Sequence, residues 1–249
     1  MFRAYARPAL FFVPRTHIAR TRNTRKTSIE TNGADAFPCD RPVHIPGPAG
    51  LLEAITQCPA APRPAAAVVC HPHPRHGGTM HNKVVHILAS SLSELGLRTI
   101  RFNFRGVGGS AGAYAGGIGE TEDVLAVLEW VRAARPTDEI WLAGFSFGAF
   151  MALRAADRFQ VARLVLVAPP VYLYPELGAP PTPRTPMLVL QGEQDDIVSP
   201  EGVAAWAEAI APPPVLRMFS DTGHFFHGRL NDLRAVIYAE LGPVVPADI

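Results

Sequence analysis

Five residues between a short apolar run and a stretch of small residues constrain the fold most. Residues 144–148 read Gly-Phe-Ser-Phe-Gly, after the strand-like run 139–143 and before a helical pattern that begins at Ala149. This order predicts a sharp strand-to-helix turn with the serine at its tip. The serine of such a turn is conformationally strained, and the flanking glycines leave room for strand and helix to pass closely. Ser146 is therefore the first candidate for a functional residue.

Short apolar segments alternate with longer helical patterns along the rest of the chain. Strands are predicted at 42–45, 51–56, 66–70, 98–104, 139–144, 163–168, 187–191 and 215–219. Helices are predicted near 82–95, 120–134, 147–158, 200–210 and 228–241. An early hairpin followed by this alternation indicates an α/β fold, with a mostly parallel, eight-stranded sheet and helices on both faces. The proline-rich connection 169–186 is too short for a large cap domain.

Charge is distributed unevenly along the 249 residues. Residues 1–29 carry six arginines and one lysine but no acidic residue, whereas the remainder is mildly acidic. We expect residues 1–36 to be a basic, disordered extension, with organelle targeting and an upstream start-site artefact as alternatives. We expect residues 37–249 to form one domain. Its charge balance gives no reason to expect nucleic-acid binding, and the sequence carries no signal for an oligomeric state.

The three cysteines, Cys39, Cys58 and Cys70, show no metal-binding spacing and leave one thiol unpaired. We therefore expect neither a disulfide framework nor a zinc site, and a reducing, cytoplasmic compartment. No apolar run approaches the roughly 20 residues that a membrane span needs. The sequence thus predicts no membrane span.

Acidic and histidine residues follow two of the later predicted strands. Asp195 and Asp196 come after the seventh strand, and His224 comes after the eighth. A serine hydroxyl is a poor nucleophile at neutral pH, so an imidazole must take its proton and a buried carboxylate must orient that imidazole. We predict Ser146 as the nucleophile, His224 as the base and Asp195 as the orienting acid. Asp196 and His227 remain alternatives for the acid and the base.

A histidine-rich segment, His71–Lys83, follows the third predicted strand. A loop at this place in the fold supplies one donor for a negatively charged oxygen, and the residue after the nucleophile, Phe147, supplies the other. Pro72 and Pro74 have no N–H. His73 is therefore the predicted donor from this loop.

The same region raises the question of a metal, because it contains His71, His73, His76, His81 and His86. Only His71 and His73 lie two residues apart, on the same side of an extended segment, and no nearby carboxylate or thiolate completes a zinc-binding pattern. The glycine-rich segment 102–110 lacks the signatures of nucleotide-binding loops. We expect neither a metal nor a cofactor.

Four aromatic residues flank the predicted site: Phe145, Tyr172, Tyr174 and Phe225. They favour an apolar pocket for an acyl or alkyl group. Ordinary core packing is the alternative for each of them taken singly.

Four sequence strings together resemble those of the small, capless α/β-hydrolases related to dienelactone hydrolases and esterases. A bacterial subgroup shares His-Pro-His-Pro-x-x-Gly-Gly-x-Met-x-Asn-Lys at 71–83, Phe-Asn-Phe-Arg-Gly-Val-Gly at 102–108, Gly-x-Ser-x-Gly at 144–148 and His-Phe-Phe at 224–226. The order serine, acid, histidine along the chain is also that of α/β-hydrolases. The resemblance spans about residues 40–245.

This resemblance implies a serine hydrolase that cleaves an ester, thioester or related acyl bond of a small molecule through an acyl-enzyme, without a cofactor. Dienelactone hydrolases have a cysteine where this chain has Ser146, so their particular substrate is not implied. A peptidase or amidase using the same three residues is one alternative. A non-catalytic binding protein with the same fold is another, because a fold does not guarantee activity.

Overall fold

The computed structural model describes residues 37–242. The predicted basic extension, residues 1–36, lies outside the described residues, as do residues 243–249. Within the described range the strands are β1 Pro42–Gly47, β2 Gly50–Gln57, β3 Ala65–Cys70, β4 Arg98–Phe102, β5 Glu139–Phe145, β6 Arg163–Val167, β7 Met187–Gly192 and β8 Val215–Phe219. The helices are α1 Lys83–Glu94, α2 Ile118–Ala134, α3 Phe147–Ala156, α4 Pro200–Glu208 and α5 Leu230–Leu241.

One sheet contains these eight strands, in the order β1-β2-β4-β3-β5-β6-β7-β8. β1, β2 and β4 pair antiparallel, while the strands from β4 through β3 to β8 pair in parallel. The structure therefore confirms the predicted α/β fold and its early hairpin. Because β3 and β5–β8 run in the same direction, their carboxyl ends meet along one edge of the sheet.

Both faces of the sheet are covered by helices. Val68 of β3 belongs to the apolar core cluster that also contains residues of α2, α3 and α4, whereas Val69 belongs to the cluster that contains residues of α1 and α5. β3 is buried along its whole length, which explains why its sequence is a continuous apolar run rather than an alternating one. Within residues 37–242, no helix is long and apolar enough to cross a membrane.

Local sequence signals set where the helices begin. Asn82 caps α1 by accepting hydrogen bonds from the N–H groups of Val84 and Val85. Ser199 caps α4, and Pro200 occupies its first turn, where the missing N–H costs nothing. These caps stabilise the helix starts directly after loops at the carboxyl edge of the sheet.

Cys39 and Cys58 form a disulfide across the first hairpin, so the expectation that the cysteines form no disulfide framework was wrong. Pro42 pairs with Ile55 between β1 and β2. Cys39 lies three residues before Pro42 and Cys58 three residues after Ile55, so the two cysteines face each other beyond this pair. Their Cα atoms are 5.3 Å apart, within the usual range for a disulfide. The cysteines thus no longer indicate a reducing compartment. Cys70, at the end of β3, is the buried free thiol.

Replacing Cys58 with serine should lower the free energy of unfolding by about 2–4 kcal/mol, because the bond restricts the unfolded chain. Guanidinium unfolding of wild type and Cys58→Ser, each with and without a reductant, measures this. The reductant should bring the wild-type midpoint down to that of the variant and leave the variant unchanged. A wild-type midpoint that does not respond to reductant would contradict the pairing.

Candidate active site

Ser146 lies at the tip of the turn between β5 and α3, with φ of 54° and ψ of −124°. A positive φ is strained for a residue with a side chain. A Cβ on Gly144 would lie 2.3 Å from the carbonyl oxygen of Gly148. A Cβ on Gly148 would lie 2.4 Å from the carbonyl oxygen of His71. The two glycines therefore let α3 begin directly against the ends of β5 and β3.

A chain of two hydrogen bonds connects the predicted serine, histidine and acid. Ser146 Oγ is 3.0 Å from His224 Nε2, and His224 Nδ1 is 2.8 Å from Asp195 Oδ2. All three residues are buried. With Nδ1 donating to the carboxylate, the neutral imidazole presents its Nε2 lone pair to the serine hydroxyl. The arrangement can therefore move the hydroxyl proton to His224.

The turn after β7 fixes the Asp195 carboxylate. Oδ1 accepts hydrogen bonds from the N–H groups of Ile197 and Val198, at 2.9 Å and 2.8 Å, and Gln191 Nε2 donates to Oδ2 at 3.0 Å. Burial alone would raise the pKa of Asp195, but the hydrogen bonds from His224, Val198 and Ile197 lower it below its ordinary value. Asp195 is therefore ionised at neutral pH.

The two alternative residues do not join this chain of hydrogen bonds. Asp196 and His227 are both exposed. The ring of His227 contacts Phe225 at a centroid distance of 5.8 Å. Glu193, in the same turn as Asp195, is exposed as well.

Two backbone N–H groups near Ser146 are available to a ligand. Phe147 is the first residue of α3, so its N–H has no acceptor within the helix. His73 lies in the loop after β3, and no acceptor for its N–H occurs among residues 37–242. The rings of these two residues are 4.9 Å apart. The positive end of the α3 dipole adds to the attraction for a negatively charged oxygen.

A cavity of about 420 Å³ opens above Ser146 and His224. Its lining residues are Pro72, His73, His76, Gly77, Gly78, Asn82, Ser146, Leu173, Tyr174, Ile197, His224 and Phe225. The lining contains no carboxylate side chain. Leu173, Ile197 and Phe225 supply its apolar wall, and each remains about half exposed to solvent.

Two of the four predicted pocket residues, Tyr174 and Phe225, line this cavity, and the other two do not. Phe145 is fully buried on the α1–α5 side of the sheet, beneath the ring of His224, because its position in β5 turns it to that face. Tyr172 is 60% exposed and its ring lies beside Gly202 of α4. The prediction of Phe145 and Tyr172 as pocket residues was therefore wrong.

Several lining residues were missed by sequence reasoning. Leu173 and Ile197 are exposed apolar residues in loops, and His76 and Asn82 come from the loop after β3. Leu173 sits between the two predicted tyrosines, and Ile197 follows Asp195 by two residues. Only their closeness to predicted site residues could have indicated them.

His71 is buried immediately before the loop that carries His73. Its Nδ1 lies 2.6 Å from the carbonyl oxygen of Pro72, and its Nε2 accepts a hydrogen bond of 3.0 Å from the Phe104 N–H. Burial lowers the pKa of His71 to about 4. Within residues 37–242, no three His, Cys, Asp or Glu side chains converge on a point that could hold a metal ion.

Comparisons with known proteins show the family to which the chain is related. A sequence profile of the α/β-hydrolase fold matches residues 75–182. A Coxiella burnetii structure described as an α/β serine hydrolase homologue is 45% identical, with a TM-score of 0.79, over 82% of this chain and 99% of that one. A Xanthomonas campestris α/β serine hydrolase without a lid is 44% identical, with a TM-score of 0.80, over 86% and 99%.

An uncharacterised protein from Rickettsia prowazekii is 37% identical over 166 residues, which are 65% of this chain and 69% of the relative. Proteins that share 37–45% of their residues over 69–99% of the relative's length belong to one family. They confirm the resemblance to capless α/β-hydrolases. The chain belongs to the α/β-hydrolase fold family and is a hydrolase similar to its lidless serine hydrolases.

Proposed function

We propose that the protein hydrolyses a carboxylic ester or a related acyl bond through an acyl-enzyme formed on Ser146. The observation that carries this proposal is the chain of hydrogen bonds from Ser146 through His224 to the ionised Asp195, at the floor of an open cavity. Such a chain activates a hydroxyl that is otherwise a poor nucleophile.

In the acylation step, Ser146 Oγ forms a bond to the carbonyl carbon and its proton passes to His224 Nε2. The carbonyl oxygen takes up the negative charge and accepts hydrogen bonds from the N–H groups of Phe147 and His73. His224 then gives the proton to the alcohol oxygen as the carbon–oxygen bond breaks. The alcohol leaves, and the acyl group stays on Ser146.

In the deacylation step, a water molecule attacks the acyl carbon and loses a proton to His224. The bond to Ser146 Oγ breaks, and the proton returns from His224 to the serine. The carboxylic acid is released, and the starting state is restored. Asp195 remains ionised throughout and stabilises the imidazolium of His224 in both steps.

The cavity lining supports an ester substrate over a peptide. A peptidase would need an acidic or otherwise dedicated site for the amino terminus of its substrate, and the lining contains no carboxylate. Glu176, the acid nearest in sequence to the lining residues Leu173 and Tyr174, is exposed and is not part of the lining. The apolar wall of Leu173, Ile197 and Phe225 instead suits an acyl or alkyl chain.

A fluorophosphonate probe should label the wild-type protein, because the activated serine oxygen displaces fluoride from phosphorus. Ser146→Ala should abolish the labelling, and His224→Ala should slow it strongly. Gel fluorescence after a timed incubation measures both. A folded wild-type protein that is not labelled would rule out the proposed reaction and favour a binding protein of the same fold.

Asp195→Asn should lower kcat/KM for an ester by about 10³–10⁴-fold, because the amide neither fixes the histidine tautomer nor stabilises the imidazolium. Asp196→Asn is the matched control. Its exposed side chain takes no part in the hydrogen-bond chain, so we expect near-wild-type rates. Initial rates on a p-nitrophenyl ester measure the effect, and the reverse order of the two variants would reassign the acid.

The kcat/KM for p-nitrophenyl esters should rise from acetate to medium-chain acyl groups through a lower KM, because a longer chain covers Leu173, Ile197 and Phe225. The kcat/KM for aminoacyl p-nitroanilides should be at least about 10²-fold lower, since the cavity lining has no carboxylate to bind their amino group. Comparable kcat/KM values for the two classes would support a peptidase instead.

A further inference from the structure

We propose that His71 is a positioning residue, which orients the His73 N–H toward the oxygen of the substrate. This role rests on the function proposed above. It concerns a residue that touches neither Ser146 nor the cavity. His71 acts through the peptide group that joins Pro72 to His73, the predicted donor.

The Pro72 carbonyl and the His73 N–H belong to the same peptide group. That group is trans, so its C=O and N–H are held in one plane and point in opposite directions. A donor that fixes the Pro72 oxygen therefore fixes the direction of the His73 N–H as well. Among the described residues, the ring of His71 is the donor on this oxygen, at 2.6 Å.

The second hydrogen bond of His71 decides which of its ring nitrogens carries the proton. The backbone N–H of Phe104 can only donate, so His71 Nε2 must be the unprotonated acceptor. Nδ1 then carries the proton that the Pro72 oxygen receives. The ring also packs edge-on against Phe104, with centroids 4.7 Å apart. Phe104, in the loop after β4, thus holds the ring through Nε2 and through packing, while Nδ1 bonds Pro72 in the loop after β3.

The loop beyond His73 is held independently of His71. The His73 carbonyl accepts from the N–H groups of His76 and Gly78, and its Nδ1 accepts from the Arg75 N–H. A Cβ on Gly78 would lie 2.0 Å from the Pro72 oxygen, so this carbonyl is also packed closely on that side. Loss of the His71 donor therefore leaves the Pro72–His73 peptide group held by packing alone, while the hydrogen bonds of the loop beyond it remain.

Rotation of that peptide group would remove one of the two donors to the negatively charged oxygen. Loss of one such donor typically lowers kcat by about 10²–10³-fold. Ground-state binding in the cavity does not use this N–H, so KM should change little. The signature of the positioning role is therefore a fall in kcat at nearly constant KM.

Two substitutions separate the two hydrogen bonds of His71. In His71→Asn, the amide nitrogen takes the place of Nδ1 and can still donate to Pro72. In His71→Gln, the amide takes the place of Nε2, so it can accept from Phe104 but loses the donor to Pro72. We expect His71→Gln to lower kcat on a p-nitrophenyl ester by about 10- to 100-fold, and His71→Asn to restore most of this loss.

Thermal unfolding and binding of an alkyl trifluoromethyl ketone complete the test. The ketone forms a tetrahedral adduct with a negatively charged oxygen, so its inhibition constant should rise in His71→Gln in proportion to the loss in kcat. His86→Gln, at an exposed position on α1, is the control and should behave as wild type. Equal losses in the asparagine and glutamine variants, or losses that follow only the melting temperature, would overturn the proposal.

Nitrogen-15 NMR of the wild-type histidines tests the hydrogen bond without any variant. At pH 7, His71 should show a protonated Nδ1 and an unprotonated Nε2, and the opposite tautomer would overturn the proposal even if the variants fail to fold. A wild-type protein without fluorophosphonate labelling or esterase activity would instead overturn the proposed function. An active wild type with an equally active His71→Gln would overturn only the role of His71.

Discussion

The close approach of α3 to the ends of β3 and β5 is the constraint on which the rest of the site depends. It is possible only because Gly144 and Gly148 have no Cβ, since either side chain would collide with backbone atoms. The same approach forces Ser146 into a positive φ and lifts its hydroxyl clear of the sheet. It also leaves the first N–H of the helix, that of Phe147, without an internal acceptor. The positions of the proposed nucleophile, Ser146, and of the proposed donor N–H of Phe147 are thus consequences of one packing contact.

Parallel pairing brings the remaining groups to this contact. β7 and β8 end on the same edge of the sheet as β5, so the turns after them reach Ser146 from one side. The turn after β7 supplies two N–H groups to Asp195, which keep a buried carboxylate ionised against the cost of its burial. The loop after β3 approaches from the other side with His73. Ser146 therefore lies between His224, the proposed proton acceptor, and the N–H groups proposed to bind a negatively charged oxygen.

Sequence reasoning predicted the fold and the hydrogen-bonded trio because both depend on local patterns. Alternating strands and helices, and a polar residue directly after a strand, are visible along the chain. Features that depend on register were not visible. The Cys39–Cys58 disulfide follows from the pairing of β1 with β2, and the burial of Phe145 follows from which face of β5 it occupies. The exposed side chain of Tyr172 depends on the path of an irregular loop, which no periodicity describes.

In the proposed reaction, the open cavity and the N–H groups beside Ser146 act on different kinetic constants. Leu173, Ile197 and Phe225 are 49%, 46% and 45% exposed, so a substrate chain that covers them removes apolar surface from water. For the proposed ester substrate, that contribution would be the same in the bound state and in the transition state, so it would act on KM alone. In the proposed reaction, the N–H groups of Phe147 and His73 meet negative charge only as it develops in the transition state, so they would act on kcat. In the role proposed for it, buried His71 holds the peptide group that carries the His73 N–H, while the loop's own hydrogen bonds hold the residues beyond His73.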